Sequence, residues 1–520
     1  MPARAGARVR TVVRVVSAAE AAHRDSAAIA AGTPSRALMQ RAGAAAASEI
    51  SRRFTERLQG GALVYAGPGN NGGDAWVVAR ALAASGIPVW VNQAGETRAG
   101  DALLERELAI PFVQTGGPLE GTLIVDGLLG TGAHGEPRGA IAAAISDINA
   151  RHERGAIVVA LDTPSGVHAT TGNACHAVAA DVTLTFGTLK RGLLIARLQA
   201  GLIAVLDIGL GDSGDDDDAP QLATSAWVRA TVPAIRADAH KGSRKKLAII
   251  GGAVGMAGAP VLAARAAMRS GMGMVKLVVA PENVPVVQGA EPCALASEWP
   301  QSAESLPDTV LGWADAVLLG PGLGDTPLSR DLVERVLRSW RGPVVIDADA
   351  LNVFKGNMEA LSGLLNGRRA LLTPHPAEVS RLTGKPVEEV LARRFEIGGE
   401  IARATGAAVL LKGVPTIVTG ADGARLVSAR GTPALAVAGS GDVLAGIAAT
   451  LLAQIDDAAA AGACAAFVHG RAAELAGRGR AVRGVALDDV IGSLGDAWNF
   501  SEADPVYPVI AELPAVAGLR

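Results

Sequence analysis

Two hydrophobic patterns alternate along most of the chain. Short, continuous runs of aliphatic and β-branched residues recur in the first half at Ala62–Ala66, Thr122–Val125, Ile157–Leu161, Val182–Phe186 and Ile203–Leu206. In the second half they recur at Leu247–Ile250, Val275–Val279, Ala316–Leu319, Val344–Ile346, Ala370–Leu372 and Val409–Leu411. Ala-rich stretches of helical period lie between them, at Asp74–Ala84, Gly139–Asn149, Ala259–Arg269, Glu388–Ala404 and Asp442–Ala453. Runs without polar alternation predict strands buried on both faces, and the helices between them predict parallel crossovers. No fixed-period repeat is visible, so two different α/β domains are expected. The sharpest break is GDSGDDDDAP (211–220), where five Asp flanked by Gly and Pro predict an exposed linker, or less readily an acidic ligand site. The expected division is a first domain over 1–213, a linker over 214–224 and a second domain over 225–520.

Composition narrows the function. A chain of 520 residues exceeds one ordinary core. Apolar residues make up 49% and aromatic ones only 3%, so the cores are Ala, Val, Leu and Ile, and disorder is excluded. The net charge is −3 and becomes +2 without the five linker Asp, which leaves no basic footprint for nucleic acid. Cys175, Cys293 and Cys464 form no paired motif and point to a reducing cytoplasm. The basic start MPARAGARVRTVVRVV is interrupted by Arg14 and too short in its apolar part for a signal peptide. The most apolar stretch, Ala434–Ile455, carries Asp442, so no membrane span is expected and the protein is read as soluble. No Lys is followed by Ser or Thr, no HExxH or GxSxG occurs, and GGAVGMAG (251–258) misses GxGxxG spacing.

Ligands of parallel sheets bind beyond the carboxyl ends of the strands, and the polar residues cluster there. In the first half, LVYA runs into GPGNNGGD (67–74), which can bring N–H groups to an anion at a helix N-terminus. Asp74 there reads either as a helix cap or as a ligand contact. The next tips carry Asp126, followed by the flexible loop 130–136, and Asp162 with Ser165. Oxygen donors of this kind suit a hard cation plus a carboxylate free for proton transfer. NNGGD, DGLLGTG, DTPSG and TFGTLKRGLL (185–194) together resemble the epimerase domain of the bifunctional NAD(P)H-hydrate repair enzymes. That resemblance spans 17–210 and implies a Rossmann-like domain interconverting the R and S epimers of hydrated NADH or NADPH. It implies that Asn70, Asn71, Gly72, Gly73 and Asp74, with Gly130, Thr131, Gly132, Ala133, His134, Gly135 and Glu136, hold the hydrated nucleotide. It further implies that Asn71, Asp126 and Ser165 bind potassium and that catalytic Asp162 contacts the substrate near the epimerised carbon. Ala75 stands where the family usually has Gly.

In the second half GSGD (439–442) opens a helix, and Asp442 reads either as a cap or as a general base beside a phosphoryl group. KGVPTIV places Lys412 and Thr416 at the same sheet edge. LGPGLG and LTPHPAE add a Gly loop and His375, itself either structural or a ligand contact. His469 reads as core, and the roles of Asp347 and Asp349 in VIDADAL stay open. HKG (240–242), GMAGAPVLAARAAMRSGMG, GPGLG, DADALN, TPHPAE, LKG and GSGDVLAG resemble the ADP-dependent dehydratase domain of the same family, over 225–500. This implies a ribokinase-like fold in which Ala259, Gly322, His375 and Asp442 contact the hydrated nucleotide. Lys412, Gly413, Val414, Pro415, Thr416 and Gly441 would bind ADP, with Mg2+ as a further cofactor, and Asp442 would act catalytically on the ring hydroxyl. Ala377 and Ser440 replace the usual Gly and frequent Thr.

The expected activity is therefore epimerisation of the hydrates and ADP-dependent dehydration of the S form, giving AMP and phosphate. The partners are these small molecules, and a homo-oligomer of unspecified size is expected. One rival is an ATP-dependent ribokinase-like kinase of a small alcohol or vitamin precursor, which leaves the first domain's loops without a task. Another is a nucleotide-sensing scaffold, for which Asp442 would be dispensable.

Overall fold

A computed structural model of the chain describes residues 12–98, 100–114, 123–210, 218–300, 308–365, 367–500 and 505–516. Most of the acidic segment, 211–217, lies outside them, as does Thr122. The chain forms two compact units, Met1–Gln221 joined by Ala503–Val516, and Leu222–Glu502.

The sheet of the first unit runs Val509–Leu513, Leu202–Leu206, Val182–Phe186, Val158–Leu161, Leu123–Gly127, Ala62–Ala66, Val89–Gln93. All neighbours are parallel except the first pair. Both faces are covered, as the continuous apolar runs require: Ala62, Val64 and Ala66 pack into one core while Leu63 and Tyr65 pack into another. Counted along the chain, the strand order 2-1-3-4-5-6-7 is that of a doubly wound sheet. Its switch point lies between Ala62–Ala66 and Leu123–Gly127, where loops diverge to open a ligand crevice.

One boundary differs from the sequence reading. The strand Val509–Leu513, expected in the second domain, pairs antiparallel with Leu202–Leu206 of the first. Val509, Ala511 and Leu513 are buried there, and Glu512 pairs with Arg53. Burial of an otherwise open sheet edge brings the chain end back.

The second unit's sheet contains, in order, Leu295–Glu298, Met274–Val279, Lys246–Ile250, Ala316–Leu319, Val344–Ile346, Ala370–Leu372, Ala408–Leu411, Thr416–Thr419 and Arg425–Ser428. It is parallel up to Ala408–Leu411 and antiparallel beyond. Leu247 and Ile249 face one core, Ala248 and Ile250 the other. The order 3-2-1-4-5-6-7-8-9 of these strands puts the switch point between Lys246–Ile250 and Ala316–Leu319. The predicted helix Glu388–Ala404 is two helices, Val387–Ala392 and Ile397–Thr405, and the intervening turn buries Phe395. Among the described residues no helix is long and apolar enough to cross a membrane.

Candidate active sites

At the first switch point the helix begins at Asn70, not at Asp74, with Gly69 as its cap. The capping alternative for Asp74 therefore falls. Gly72 has no room for a side chain, since a Cβ there would lie 1.9 Å from the Gly67 carbonyl oxygen. Gly73 packs likewise on Met39, so both glycines serve packing of the helix rather than lining the crevice. The crevice itself is a cavity of about 650 Å³ bordered by Asn70, Asn71, Asp74, Gly130–His134 and Asp162. Gly135 and Glu136 continue the loop beyond that lining.

The residues implied for potassium do meet. Ser165 donates its hydroxyl to Asp126 Oδ1 at 2.6 Å and its N–H to Oδ2 at 2.8 Å. Leu129 N–H donates to Ser165 Oγ at 2.9 Å. Asn71 Nδ2 donates to the carbonyls of Leu129 at 2.9 Å and Leu161 at 3.2 Å, tying the three strand-end loops together. Its Oδ1 is buried without a hydrogen-bond partner among the described residues. Burial pushes the Asp126 carboxyl up to about 6 against the pull of the hydrogen bonds from Ser165 and Leu128. An orphaned carbonyl oxygen beside a buried carboxylate fits a monovalent cation held by oxygen atoms.

Asp162 stands at φ 62°, a left-handed conformation that costs about 1 kcal/mol or more for a residue with a side chain. The turn aims its carboxylate at a partner that the sequence reading gave no role. Lys190, 3% exposed, donates from Nζ to Asp162 Oδ1 at 2.5 Å, to the Phe186 carbonyl at 2.9 Å and to Thr185 Oγ1 at 3.1 Å. Asp25, from helix Ala18–Ala30, also lines the cavity and was likewise missed. The Lys inside TFGTLKRGLL was the available signal for Lys190; Asp25, in an Ala-rich helix, offered none.

At the second switch point the loops bond to each other, with Gly252 N–H on the Pro321 carbonyl at 2.9 Å and Ala253 N–H on the Gly322 carbonyl at 2.7 Å. Ala259 and Gly322 adjoin, since a Cβ on Gly322 would come within 3.1 Å of the Ala259 Cβ. The neighbouring strand ends supply an acidic cluster. Asp347, 1% exposed, accepts from Thr373 Oγ1 and from Lys412 Nζ, each at 2.8 Å. Gly320 lets this turn close, because a Cβ would sit 1.8 Å from the Asp347 carbonyl oxygen. Asp349 accepts from Gly324 N–H at 2.8 Å, joining the DADAL and GPGLG loops. Lys412 thus holds the cluster together: burial would lower its ammonium, but Asp347 and Glu378 outweigh that and raise it.

His375 is the cap of helix Pro376–Thr383, with Nδ1 accepting from the N–H groups of Ala377 at 3.1 Å and Glu378 at 3.3 Å. Burial, Lys412 and Arg381 lower its ring, which favours the neutral form. Gly413–Pro415 form the turn between Ala408–Leu411 and Thr416–Thr419, with Thr416 Oγ1 donating to the Gly413 carbonyl at 3.1 Å. Gly441 lies beside Lys412, within 3.4 Å of Nζ for a Cβ placed on it. The helix Ser440–Leu452 has Gly439 as its cap, so Asp442 is not one. Burial first, then Asp347, pushes the Asp442 carboxyl up to about 7, with Lys412 opposing. His469 is a neutral core residue: burial holds it near 4, and Ser440 Oγ lies 3.5 Å away. Among the described residues no three His, Cys, Asp or Glu could cage a metal ion.

Two family models match the chain, one described as the YjeF-related protein N-terminus over residues 35–192 and one as NAD(P)H-hydrate dehydratase over 247–494. Among curated proteins, the bifunctional NAD(P)H-hydrate repair enzyme of Moorella thermoacetica is 34% identical, covering 88% of this chain and 91% of its own length. The one from Salinibacter ruber is 36% identical at 88% and 91%, and the one from Escherichia coli 34% at 88% and 88%. A solved ADP/ATP-dependent NAD(P)H-hydrate dehydratase from Bacillus subtilis, co-crystallised with ATP and Mg2+, is 30% identical. It covers 53% of this chain and 96% of its own, with a TM-score of 0.48. With a YjeF-type unit followed by a dehydratase unit, and such relatives matching 88% of its length, the chain belongs to the family of bifunctional NAD(P)H-hydrate repair enzymes.

Proposed function

We propose that the first unit interconverts the R and S epimers of hydrated NADH and NADPH, and that the second dehydrates the S form at the expense of ADP. The observation that carries this reading is one site beyond the strand ends of each sheet, each with a different carboxylate poised for chemistry. In the first, Asp162 sits in an ion pair at the wall of a cavity sized for a nucleotide headgroup. In the second, Asp442 lies on the first turn of a helix whose N–H groups suit a phosphate, with its carboxyl near 7 and able to exchange a proton at neutral pH.

Asp442 takes the proton of the ring hydroxyl as that oxygen attacks the terminal phosphorus of ADP. The P–O bond to AMP breaks, and loss of the ring's phosphate, together with a proton from the adjacent carbon to water, re-forms the double bond of the nicotinamide. Asn71, Asp126 and Ser165 would hold potassium, which supplies positive charge near the bound nucleotide. Mg2+ would enter with the nucleotide phosphates, since among the described residues no three His, Cys, Asp or Glu could hold it. The protein would work in the cytoplasm as a homo-oligomer.

Incubation with hydrated NADH and ADP tests the reading: absorbance of the reduced nicotinamide should return. No return, together with ATP-dependent phosphorylation of a small alcohol, would establish the kinase reading instead.

A further inference from the structure

The cavity of the first unit holds more proton-exchanging groups than binding requires. Asp25, Asp74, Asp162 and Lys190 reach it from four separate elements, and His134 joins them from the loop. All three N–H bonds of Lys190 are used, on Asp162, Thr185 and Phe186, so Lys190 has none left for substrate. Oδ1 of Asp162 is committed to that ammonium. Among the described residues its Oδ2 receives only a long contact from Thr131 N–H at 3.4 Å, which leaves this oxygen available as an acceptor.

Asp74 is placed differently. It lines the same cavity from helix Asn70–Ala84 and makes no hydrogen bond or ion pair among the described residues. Burial first, then the charges of Asp162 and Asp25, push its carboxyl well above the usual carboxylate range. One carboxyl held by an ammonium and another without a side-chain partner among the described residues, facing the same cavity, are the arrangement for paired acid and base roles.

We propose that Asp74 is a second catalytic residue of this site, a proton donor to the substrate's ring nitrogen, paired with Asp162 as acceptor from its hydroxyl. This rests on the epimerase reading above. Hydration of an enamine puts the hydroxyl on the carbon attached to nitrogen, making a hemiaminal. Asp162 takes the hydroxyl proton, the oxygen's electron pair forms a carbonyl, and the carbon–nitrogen bond breaks with its pair going to nitrogen. Asp74 protonates that nitrogen. Rotation about the adjacent carbon–carbon bond presents the other face of the aldehyde, and the reverse steps close the ring with inverted configuration. Both protons return to their donors and no redox partner is needed. Loss of hydroxide to a ring cation would need only one proton donor and would leave the second group idle.

The test uses the full-length protein with the purified R form, following appearance of S by NMR, and repeats the wild-type reaction in oxygen-18 water. Asp74→Asn should lower kcat about a hundredfold or more with KM changed less than about threefold, and Asp74→Glu should recover part of the rate. Wild-type turnover should leave the hydroxyl oxygen unlabelled. Wild-type kcat in the Asn variant, or label entering at each turnover, overturns the proposal while the epimerase reading stands. If the wild-type protein does not interconvert the epimers, the epimerase reading itself falls, and this proposal with it.

Discussion

Asp442 gives the dehydratase half a quantitative pH signature. A base with its carboxyl near 7 is about half ionised at pH 7 and about one-tenth ionised at pH 6. The sign is that of a raised acid: the active carboxylate is lost as pH falls through about 7. Because kcat/KM reports the free enzyme, kcat/KM for S-form dehydration should drop about fivefold from pH 7 to 6 and about tenfold per unit below. It should rise by no more than about twofold above pH 7. Asp442→Asn should remove the acid limb and lower the rate by about 10²–10⁴, or about 3–5 kcal/mol of barrier. Lys412→Met removes a cation opposing the shift, so the midpoint of the limb should move upward. The assay is the initial rate of reduced-nicotinamide absorbance with purified S substrate and ADP, across about pH 5.5 to 8.5. A flat profile, or an Asn variant keeping more than about a tenth of the activity, would refute Asp442 as the base.

Other expectations follow from the same geometry. Gly72→Ala drives a Cβ into the Gly67 carbonyl, so thermal melting of the first unit should drop or the variant should fail to fold. Truncation after residue 504 removes three buried aliphatic side chains, about 5 kcal/mol of burial, from the first unit. It should therefore abolish epimerisation while dehydration of pure S substrate persists. Exchanging potassium for a bulky organic cation should slow epimerisation and lower the melting temperature, and Asn71→Leu should erase both effects, as read by calorimetry. A potassium-independent melting curve in the wild type would count against that site.

Much of this architecture was legible because the central strands of both sheets are parallel. Continuous apolar runs marked the central strands, and the rule that ligands sit beyond strand ends brought Asn71, Asp126, Asp162, Asp347 and Asp442 forward. What escaped was set by contacts distant in sequence. Lys190 lies 28 residues from Asp162, and only the fold pairs them. The strand Val509–Leu513 carries an apolar pattern, but nothing local says that its edge partner is Leu202–Leu206. His375 showed its chemistry without its local task, since capping needs the φ, ψ of its own residue and the N–H groups that follow. Lys412, expected on a phosphate, is held by Asp347, a pairing between two different strand ends. The glycines of NNGGD looked like ligand loops because spacing cannot tell close backbone packing from close ligand approach.

The central claim is two separable reactions on one chain. Its most direct test supplies pure R-form hydrated NADH with ADP to the wild type, Asp162→Ala and Asp442→Asn, and follows R, S and reduced nucleotide together. The wild type should convert all of it to reduced nucleotide. Asp162→Ala should leave R untouched yet dehydrate added S, and Asp442→Asn should give an R and S mixture with no reduced nucleotide. Loss of both reactions in either folded variant would contradict the account.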